Sequence, residues 1–299
     1  MTKILVTGSA GLIGRQVTID LIQENFDVYS CYNETKPKFG TPIQLDLLKN
    51  DKIKEIFHTI KPDIVIHLAA LTDVEKCEID KEQAIFLNTD STKTLAIESE
   101  KHKAFFVYIS TDYVFDGDKG LRNENDDVHP INFYGKSKLD GEIAVKNSGT
   151  QYAIVRTSTP FGLHPTKKSF PLWIKENLEA NKEIHVLNDQ FTSPTFVPNL
   201  SKMIIEVVKK QITGIIHLAD NTRISRYEFA KMIVEKFNLD KSLLKPAKIN
   251  DMKWNAIRPR DSSLDVSRAE EILDYKPQKL ERSLEIFVNQ IKNFEDKKL

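Results

Sequence analysis

Short apolar runs alternate with amphipathic stretches through the first half of the chain. The apolar runs, among them ILV, IVIHL and FFVYIS, have the length of strands and lack a polar face. Strands that are apolar on both faces are typical of a parallel sheet with helices on either side. The alternation therefore predicts repeated βαβ units and an α/β fold around a doubly wound parallel sheet.

The starts and ends of these patterns predict individual elements. Strands are predicted over residues 3–7, 27–32, 41–45, 63–68, 104–110 and 152–157. Helices are predicted between them over residues 12–24, 51–60, 81–101 and 132–147. These elements together make one large sheet-containing domain.

The regular alternation of strands and helices ends in the second half of the chain. Prolines at positions 160, 165 and 171 interrupt the chain before the helical stretch LWIKENLEA. A further helix and strand that return to the sheet are predicted for PNLSKMIIEVVKK and GIIHLA. Helices over 225–237 and about 281–294 predict a smaller C-terminal α/β substrate domain. We expect the sheet domain to take residues 1–158 and about 192–220, and the substrate domain about 159–191 and 221–299.

Three glycines stand between the first predicted strand and the first predicted helix. Gly8, Gly11 and Gly14 have the spacing GxxGxxG, which lets the backbone turn sharply and approach a pyrophosphate at the helix N-terminus. A turn that serves only packing is the alternative. The position directly after strand one favours dinucleotide binding, with Leu12 and Ile13 beside the glycines.

The residues after the second predicted strand bear on the choice of cofactor. An acidic side chain there would bind free ribose hydroxyls and repel a 2′-phosphate, but the segment CYN at 31–33 has none. Lys36 and Lys38 follow, and either could meet a 2′-phosphate, although a solvated loop explains them too. We therefore expect NADPH as the preferred cofactor and NADH as a second one.

Two further strand ends are candidates for cofactor contacts. Asp46, followed by Leu47, is placed to accept a hydrogen bond from an adenine amino group, but it also suits an ordinary helix N-terminus. Ala69 and Ala70 end the fourth strand with little bulk, so a cofactor could lie across the sheet edge there. Tight helix packing is the alternative for these two alanines.

Tyr134 and Lys138 stand four residues apart in YGKSK, on a predicted helix. Positions i and i+4 share a helix face, so the ammonium group could lower the phenol pKa from its ordinary value of about 10. Thr111 ends an apolar strand upstream, and its hydroxyl could hold a carbonyl that receives the phenolic proton. The three residues predict a nicotinamide-dependent enzyme of the short-chain type.

The same tyrosine–lysine spacing occurs at three other places. Tyr32 ends an extended run, and Pro277 opposes a helix after Tyr275. Tyr227 is helical, but it follows the good N-cap residue Ser225 in an amphipathic stretch that no phosphate loop precedes. The pair in YGKSK is therefore the one we assign to catalysis.

Polar residues close to this pair are candidates for substrate binding. Asp112 and Asp116 could bind sugar hydroxyls, with Val114 between them, although turn formation in TDYVFDGDKG explains the aspartates equally well. Arg258 and Arg260 carry guanidinium forks that suit bidentate phosphate binding, and surface pairing with nearby aspartates is the alternative. A phosphate role requires the C-terminal domain to close over the sheet crevice.

Composition excludes several classes of function. Lys plus Arg and Asp plus Glu each total 43, so no nucleic-acid or membrane partner is expected. Two cysteines do not suggest a disulfide framework, and no secretion signal or long apolar run is visible, so we expect a cytoplasmic protein. The seven histidines lack metal-ligand spacing, and no catalytic metal is expected.

Five sequence blocks together resemble the dTDP-4-dehydrorhamnose reductase family of extended short-chain dehydrogenases. They are the glycine motif, STDYVFDG at 110–117, YGKSKLDGE at 134–142, DQFTSPT at 189–195 and RPRDSSLD at 258–265. The resemblance runs over almost the whole chain. It implies a Rossmann domain with a small sugar-nucleotide domain, a possible homodimer, and NAD(P)H-dependent reduction of a dTDP-linked 4-keto-6-deoxyhexose to dTDP-L-rhamnose.

The resemblance also assigns roles to matching positions. Thr111 would bind the sugar carbonyl, Tyr134 would donate the proton, and Lys138 would acidify the phenol and hold the nicotinamide ribose. Thr72 would join the cofactor site. Two positions depart from the family pattern: residues 159–162 read TPFG where Trp-Val-Tyr-Gly is common, and Thr192 stands in place of a glycine.

Two other functions stay open. A nucleotide-sugar epimerase or dehydratase would reduce and reoxidise tightly bound NAD within one turnover, although dehydratases of this group place Asp-Glu where Asp112 and Tyr113 stand. A non-catalytic NADP-binding regulatory subunit would resemble the beta subunit of methionine adenosyltransferase. An intact set of Thr111, Tyr134 and Lys138 favours catalysis over that role.

Overall fold

A seven-stranded sheet forms the centre of the computed structural model, which describes residues 1–296. The strands in chain order are β1 Lys3–Thr7, β2 Asp27–Tyr32, β3 Thr41–Gln44, β4 Ile64–His67, β5 Phe105–Thr111, β6 Tyr152–Thr157, β7 Pro160–Phe161, β8 Ile184–Leu187, β9 Phe191–Thr192, β10 Thr195–Phe196, β11 Gly214–His217, β12 Ile224–Ser225 and β13 Leu244–Ala247. The large sheet has the order β11-β6-β5-β4-β1-β2-β3, and all its neighbouring strands pair in parallel.

Helices connect the strands and cover both faces of the sheet. They are α1 Leu12–Gln23, α2 Asn50–Ile60, α3 Val74–Ile79, α4 Lys81–Ile85, α5 Ser91–His102, α6 Phe133–Lys146, α7 Phe170–Glu179, α8 Val197–Lys210, α9 Arg226–Phe237, α10 Ser267–Ile272 and α11 Leu280–Asp296. Within residues 1–296, no helix combines the length and the apolar content that crossing a bilayer requires.

The direction in which the sheet grows reverses between β1 and β4. The chain passes from β1 through β2 to β3 on one side, and β4, β5, β6 and β11 then extend the other side. In parallel sheets of this kind, ligands bind at the carboxyl ends of the strands where the order reverses. The glycine loop after β1 and the Ala69–Ala70 segment after β4 lie at this place.

Strand β5 shows why the central strands are apolar throughout. Val107 and Ile109 pack into the hydrophobic core on one face of the sheet. Phe106 and Tyr108 alternate with them and pack into the core on the other face. Because successive side chains of a strand point to opposite faces, burial on both faces selects an uninterrupted apolar run.

A second hydrophobic core lies in the chain after β6. Phe161, Phe196, Phe229 and Phe287 come from four separate segments, and the ring of Phe161 has its centre 5.4 to 5.7 Å from the other three ring centres. These rings pack with apolar residues of α7, α9 and α11. The exact domain boundaries near residues 158, 192 and 220 stay a prediction.

The prediction of one uninterrupted helix over residues 81–101 is wrong. Helix α4 is followed by a π-helical turn at Phe86–Asp90 and then by α5. The turn directs Asn88 into the protein, where its side-chain amide donates to the Leu71 carbonyl and to Ser137 Oγ and accepts from the Leu71 N–H. These bonds explain the irregular turn, because a regular helix would rotate Asn88 away from its partners.

Candidate functional site

The glycine loop forms a close-fitting cradle at the crevice. Gly8 has a φ of +67°, and a Cβ on it would lie 2.7 Å from the Ala69 nitrogen. A Cβ on Gly14 would overlap the backbone of Gly8. Gly11 precedes α1 and offers no side chain to cap that helix, so the first N–H groups stay available to an anion. These features fit the diphosphate of a dinucleotide.

A buried histidine joins the two strand ends that border the cradle. The Thr7 hydroxyl oxygen accepts hydrogen bonds from the N–H groups of Leu68 and Ala69, each at 3.2 Å. His67 lies behind it, with its ring nitrogens 2.7 Å from Thr7 Oγ1 and 3.0 Å from Thr92 Oγ1. Burial lowers the pKa of His67 to about 3, so the ring is neutral and holds the strand ends without adding charge.

The remaining predicted cofactor residues occupy different surroundings. Leu12 and Ile13 are half-buried at the start of α1, and Thr72 is exposed after β4. Asp46 follows β3 and accepts a hydrogen bond from the Leu48 N–H, in the manner of an ordinary turn aspartate. The Leu47 side chain is buried in the sheet core, so its predicted place in the cofactor site can involve only its backbone.

Arg15 is a candidate cofactor residue that the sequence analysis missed. Its guanidinium carbon lies 5.2 Å from the centre of the Phe39 ring, in the loop that follows β2. That loop is where a 2′-phosphate would be recognised. Lys36 and Lys38 are exposed in the same loop. The available signal was the position of the arginine immediately after the third glycine of the motif.

Tyr134 and Lys138 share a face of α6, as their spacing predicted. Asn132 caps this helix by accepting a hydrogen bond from the Gly135 N–H at 2.9 Å. Lys138 is 2% exposed, its Nζ donates to the Ile109 carbonyl at 2.8 Å, and the ammonium lies 4.2 Å from the centre of the Tyr108 ring. Burial lowers the pKa of Lys138 to about 7, because the charged form is poorly solvated there.

The Tyr134 phenol lies beside the turn that follows β5. Burial raises its pKa above the ordinary value, and the Thr111 hydroxyl opposes that shift. Burial therefore has the largest effect on the phenol pKa, and the expectation that Lys138 acidifies the phenol stays a prediction. A protonated phenol at neutral pH is the form that a general acid requires.

Two glycines in the YGKSKLDGE block let α6 approach β5 and this turn. A Cβ on Gly135 would overlap the Tyr113 carbonyl oxygen, and one on Gly141 would overlap the Tyr108 hydroxyl. The close approach leaves the rings of Tyr113 and Tyr134 edge to face, with centres 5.9 Å apart. Ordinary side chains at the two glycine positions would push Tyr134 away from Thr111.

Two predicted substrate residues are turned inward. Asp112 is 4% exposed, and its carboxylate accepts hydrogen bonds from the hydroxyls of Thr111 at 2.9 Å and Ser158 at 2.7 Å. Val114 is fully buried and packs with Phe115 in a small core. The prediction that these side chains contact a sugar is corrected, because the protein itself surrounds both. Asp112 instead orients the Thr111 hydroxyl.

The two predicted phosphate-binding arginines differ from each other. Arg258 donates to Glu75 of α3 at 3.0 Å, and its guanidinium carbon lies 5.0 Å from the centre of the Trp254 ring. The Glu75 carboxylate also accepts from the Asn255 N–H at 2.9 Å, so it ties the late loop to the sheet domain. Arg260 is exposed in the same loop. The late loop therefore reaches the crevice side of the molecule, as a substrate role requires.

The two departures from the family pattern lie next to each other in space. Thr159 Oγ1 is 2.5 Å from Thr192 Oγ1, which is also 2.8 Å from Ser158 Oγ. Thr192 is 1% exposed, and Thr159 has a φ of +40°. Hydroxyl groups therefore occupy the place where an indole and a glycine were expected.

Within the described residues, no group of three or more potential metal ligands is present.

Comparison with known proteins identifies relatives over nearly the whole chain. Residues 1–293 match the model of the RmlD substrate binding domain family. The probable low-salt glycan biosynthesis reductase Agl14 of Haloferax volcanii is 32% identical over 270 residues, which are 89% of this chain and 90% of that protein. The methionine adenosyltransferase 2 subunit beta of Pongo abelii is 33% identical over 276 residues, 90% of this chain and 81% of the relative.

A solved structure is also similar to this chain over nearly its whole length. The dTDP-4-dehydrorhamnose reductase of Bacillus anthracis, in complex with NADP, superposes with a TM-score of 0.88 and 31% sequence identity. The match covers 97% of this chain and 100% of the other. The chain therefore belongs to the RmlD substrate binding domain family, the family of the dTDP-4-dehydrorhamnose reductases.

Proposed function

We propose that this protein uses NADPH to reduce the 4-keto group of a nucleotide-linked 6-deoxyhexose, with dTDP-4-dehydrorhamnose as the substrate that fits best and dTDP-L-rhamnose as its product. The observation that carries the proposal is the position of the Tyr134 phenol on α6, one turn from buried Lys138 and beside Thr111. Thr111 ends β5 and the glycine cradle follows β1, so both lie at the carboxyl end of the parallel strands. Membership of the reductase family supports the same chemistry.

The bound nicotinamide would supply a hydride to the sugar carbonyl carbon. Tyr134 would donate its phenolic proton to the carbonyl oxygen as negative charge develops there. Thr111 would orient that oxygen by turning its single O–H, which Asp112 accepts in this structure, toward the carbonyl. Lys138 would hold the nicotinamide ribose, and its positive charge would stabilise the phenolate that remains.

A regulatory, non-catalytic role is the second candidate, because the methionine adenosyltransferase 2 subunit beta is as similar to this chain as the reductases are. The complete set of Thr111, Tyr134 and Lys138 favours the reductase. An epimerase or dehydratase with tightly bound NAD would differ from the proposed reductase, because it needs no external reductant.

The direct test mixes purified protein with dTDP-4-keto-6-deoxyhexose and either NADPH or NADH. We expect substrate-dependent loss of reduced-nicotinamide absorbance, faster with NADPH, and dTDP-rhamnose as the sugar product. Cofactor binding without oxidation, together with co-purification of a partner enzyme, would favour the regulatory role. Bound NAD and conversion of a sugar without NADPH consumption would favour the epimerase or dehydratase.

The lowered pKa of Lys138 predicts a pH dependence. If the charged lysine is required, kcat/KM for NADPH, which reports the enzyme before the cofactor binds, will fall as pH rises through about 7. Between pH 6.5 and 8.5 we expect a decrease of roughly 20-fold, tending to tenfold per unit. The raised pKa of Tyr134 keeps the phenol protonated over this range. A flat profile between pH 6 and 9 would contradict this role for Lys138.

The position of Arg15 predicts how the enzyme distinguishes NADPH from NADH. Replacing Arg15 with Gln removes a cation beside the loop that follows β2. A charge-assisted hydrogen bond contributes about 1.5–3 kcal/mol, so the Kd of NADPH should rise roughly 10- to 100-fold. The Kd of NADH should change less than about threefold, since it lacks the 2′-phosphate. Fluorescence titration measures both, with Arg282→Gln, a change of an exposed residue on α11, as the matched loss of charge. Equal changes for the two cofactors would contradict the assignment.

A further inference from the structure

His164 joins the chain that follows β7 to the glycine cradle, and the reaction described above does not use it. The side chain is 9% exposed. Its Nε2 lies 3.1 Å from the carbonyl oxygen of Ala10, which stands between Gly8 and Gly11 in the cradle. A segment far along the chain therefore reaches the loop that would hold a dinucleotide.

The other ring nitrogen fixes the direction of this hydrogen bond. His164 Nδ1 accepts from the backbone N–H groups of Thr166 at 3.2 Å and Lys167 at 3.0 Å. A ring nitrogen that accepts carries no proton, and burial lowers the pKa of His164, so the single proton of the neutral ring is on Nε2. His164 Nε2 therefore donates to the Ala10 carbonyl, and the same ring orders the turn that follows it.

The bond from His164 fixes one peptide group of the cradle at its second end. The carbonyl of that group belongs to Ala10 and its N–H to Gly11, and the Gly11 N–H donates to the Gly8 carbonyl at 2.9 Å. Because a peptide group is planar, hydrogen bonds at both ends restrict its rotation. The N–H groups that follow open α1, and they are the ones that an anion at the helix N-terminus would meet.

The segment that carries His164 is itself anchored in the second hydrophobic core. Leu163 packs against that core. The Ser169 hydroxyl donates to the Gly162 carbonyl at 3.0 Å and thereby joins the two ends of the segment. Residues 162–169 form a strap that reaches from the second core to the cradle and bonds to the cradle through His164.

We propose that His164 is a positioning residue for the cofactor, because it holds the peptide between Ala10 and Gly11 in the orientation that the cofactor diphosphate requires. The proposal rests on the proposed function for the identity of the cofactor. A cradle that is ordered before binding loses little conformational entropy when the diphosphate enters, so the cofactor binds more tightly. By thermodynamic linkage, a bound diphosphate in turn stabilises the bond between His164 and Ala10.

The test compares three probes of the cofactor site. His164→Phe keeps a ring but loses the hydrogen bonds on both sides of it. We expect the Kd values of NADPH and 2′-phospho-ADP-ribose, measured by calorimetry, to rise roughly 5- to 30-fold, which is the factor that ordering one backbone residue on binding would cost. The Kd of 2′-AMP, which carries the 2′-phosphate but no diphosphate, should change less than about twofold in an NMR titration.

Two further variants serve as controls. His164→Gln should recover most of the affinity, because its amide nitrogen can donate to the Ala10 carbonyl and its amide oxygen can accept from the Lys167 N–H. His185→Phe changes an exposed histidine on β8 and should leave all three affinities unchanged. Unchanged NADPH binding by His164→Phe would overturn the proposal. An equal loss for 2′-AMP would also overturn it, by showing that the substitution disturbs the whole site.

Hydrogen exchange of the wild-type protein gives a second measurement that needs no variant. NADPH should slow the exchange of the Thr166 and Lys167 amides, which bond to His164, whereas 2′-AMP should not. Rates that NADPH leaves unchanged would overturn the proposal. A protein that binds NADPH but reduces no keto sugar would reject the proposed function, while these binding measurements would still decide the role of His164.

Discussion

Replacing Tyr134 with Phe should lower kcat/KM for the keto sugar by about 1,000-fold, within the range of roughly 10²–10⁴ that general acid catalysis contributes. The substitution removes one oxygen from a ring that packs edge to face against Tyr113. The packing and the adjoining Lys138 remain, so the Kd of NADPH should change less than about threefold. Steady-state kinetics and fluorescence titration measure the two quantities.

Tyr227 provides a control for this substitution. It also precedes a lysine by four residues on a helix, and Lys231 lies 6.0 Å from the centre of its ring. Its ring packs against the second hydrophobic core, away from any glycine cradle. Tyr227→Phe should therefore keep full activity. Undiminished turnover by the Tyr134 variant would refute the proposed mechanism.

The sequence predicted those parts of the site that depend on local spacing. The glycines after β1 and the pair on α6 lie where their patterns indicated, because turn geometry and helix periodicity are properties of short segments. The parallel sheet followed from strands that are apolar on both faces. In each case the residues that decide the structure are close together in the chain.

The parts that the sequence analysis missed depend on contacts between distant segments. Asn88 interrupts its helix because its partners are Leu71 and Ser137. Asp112 turns inward because Ser158, 46 positions away, bonds to its carboxylate. No periodicity within one segment reports such partners.

A buried ion pair connects α6 to the strands that carry the catalytic residues. Glu142 of α6 is fully buried, and its carboxylate accepts from Arg156 Nε at 2.9 Å and Nη2 at 2.7 Å. It also accepts from the Ser110 hydroxyl at 2.6 Å. The pair therefore joins α6, β5 and β6 directly beneath Thr111, and any change that separates these elements also displaces the catalytic residues.

Replacing Glu142 with Ala should lower the free energy of unfolding by about 3–5 kcal/mol, because it leaves the Arg156 guanidinium buried without a counter-charge. The total stability of a folded protein is only about 5–15 kcal/mol, so a large part of it would be lost. Urea denaturation followed by circular dichroism measures the change. Asp140→Ala is the control on the same helix, since the Asp140–Lys136 pair at 2.8 Å is partly exposed and should contribute less than about 1 kcal/mol.

A double variant separates the loss of the pair from the cost of an isolated charge. Changing Glu142 to Leu together with Arg156 to Met fills the site with apolar side chains and leaves no buried ion. It should recover most of the stability that Glu142→Ala loses, although the Ser110 hydroxyl loses its acceptor. If Glu142→Ala were as stable as Asp140→Ala, the buried pair would not support the junction of α6 with β5. If the double variant were stable but slow, the pair would serve to position Thr111 and Tyr134 rather than to hold the fold together.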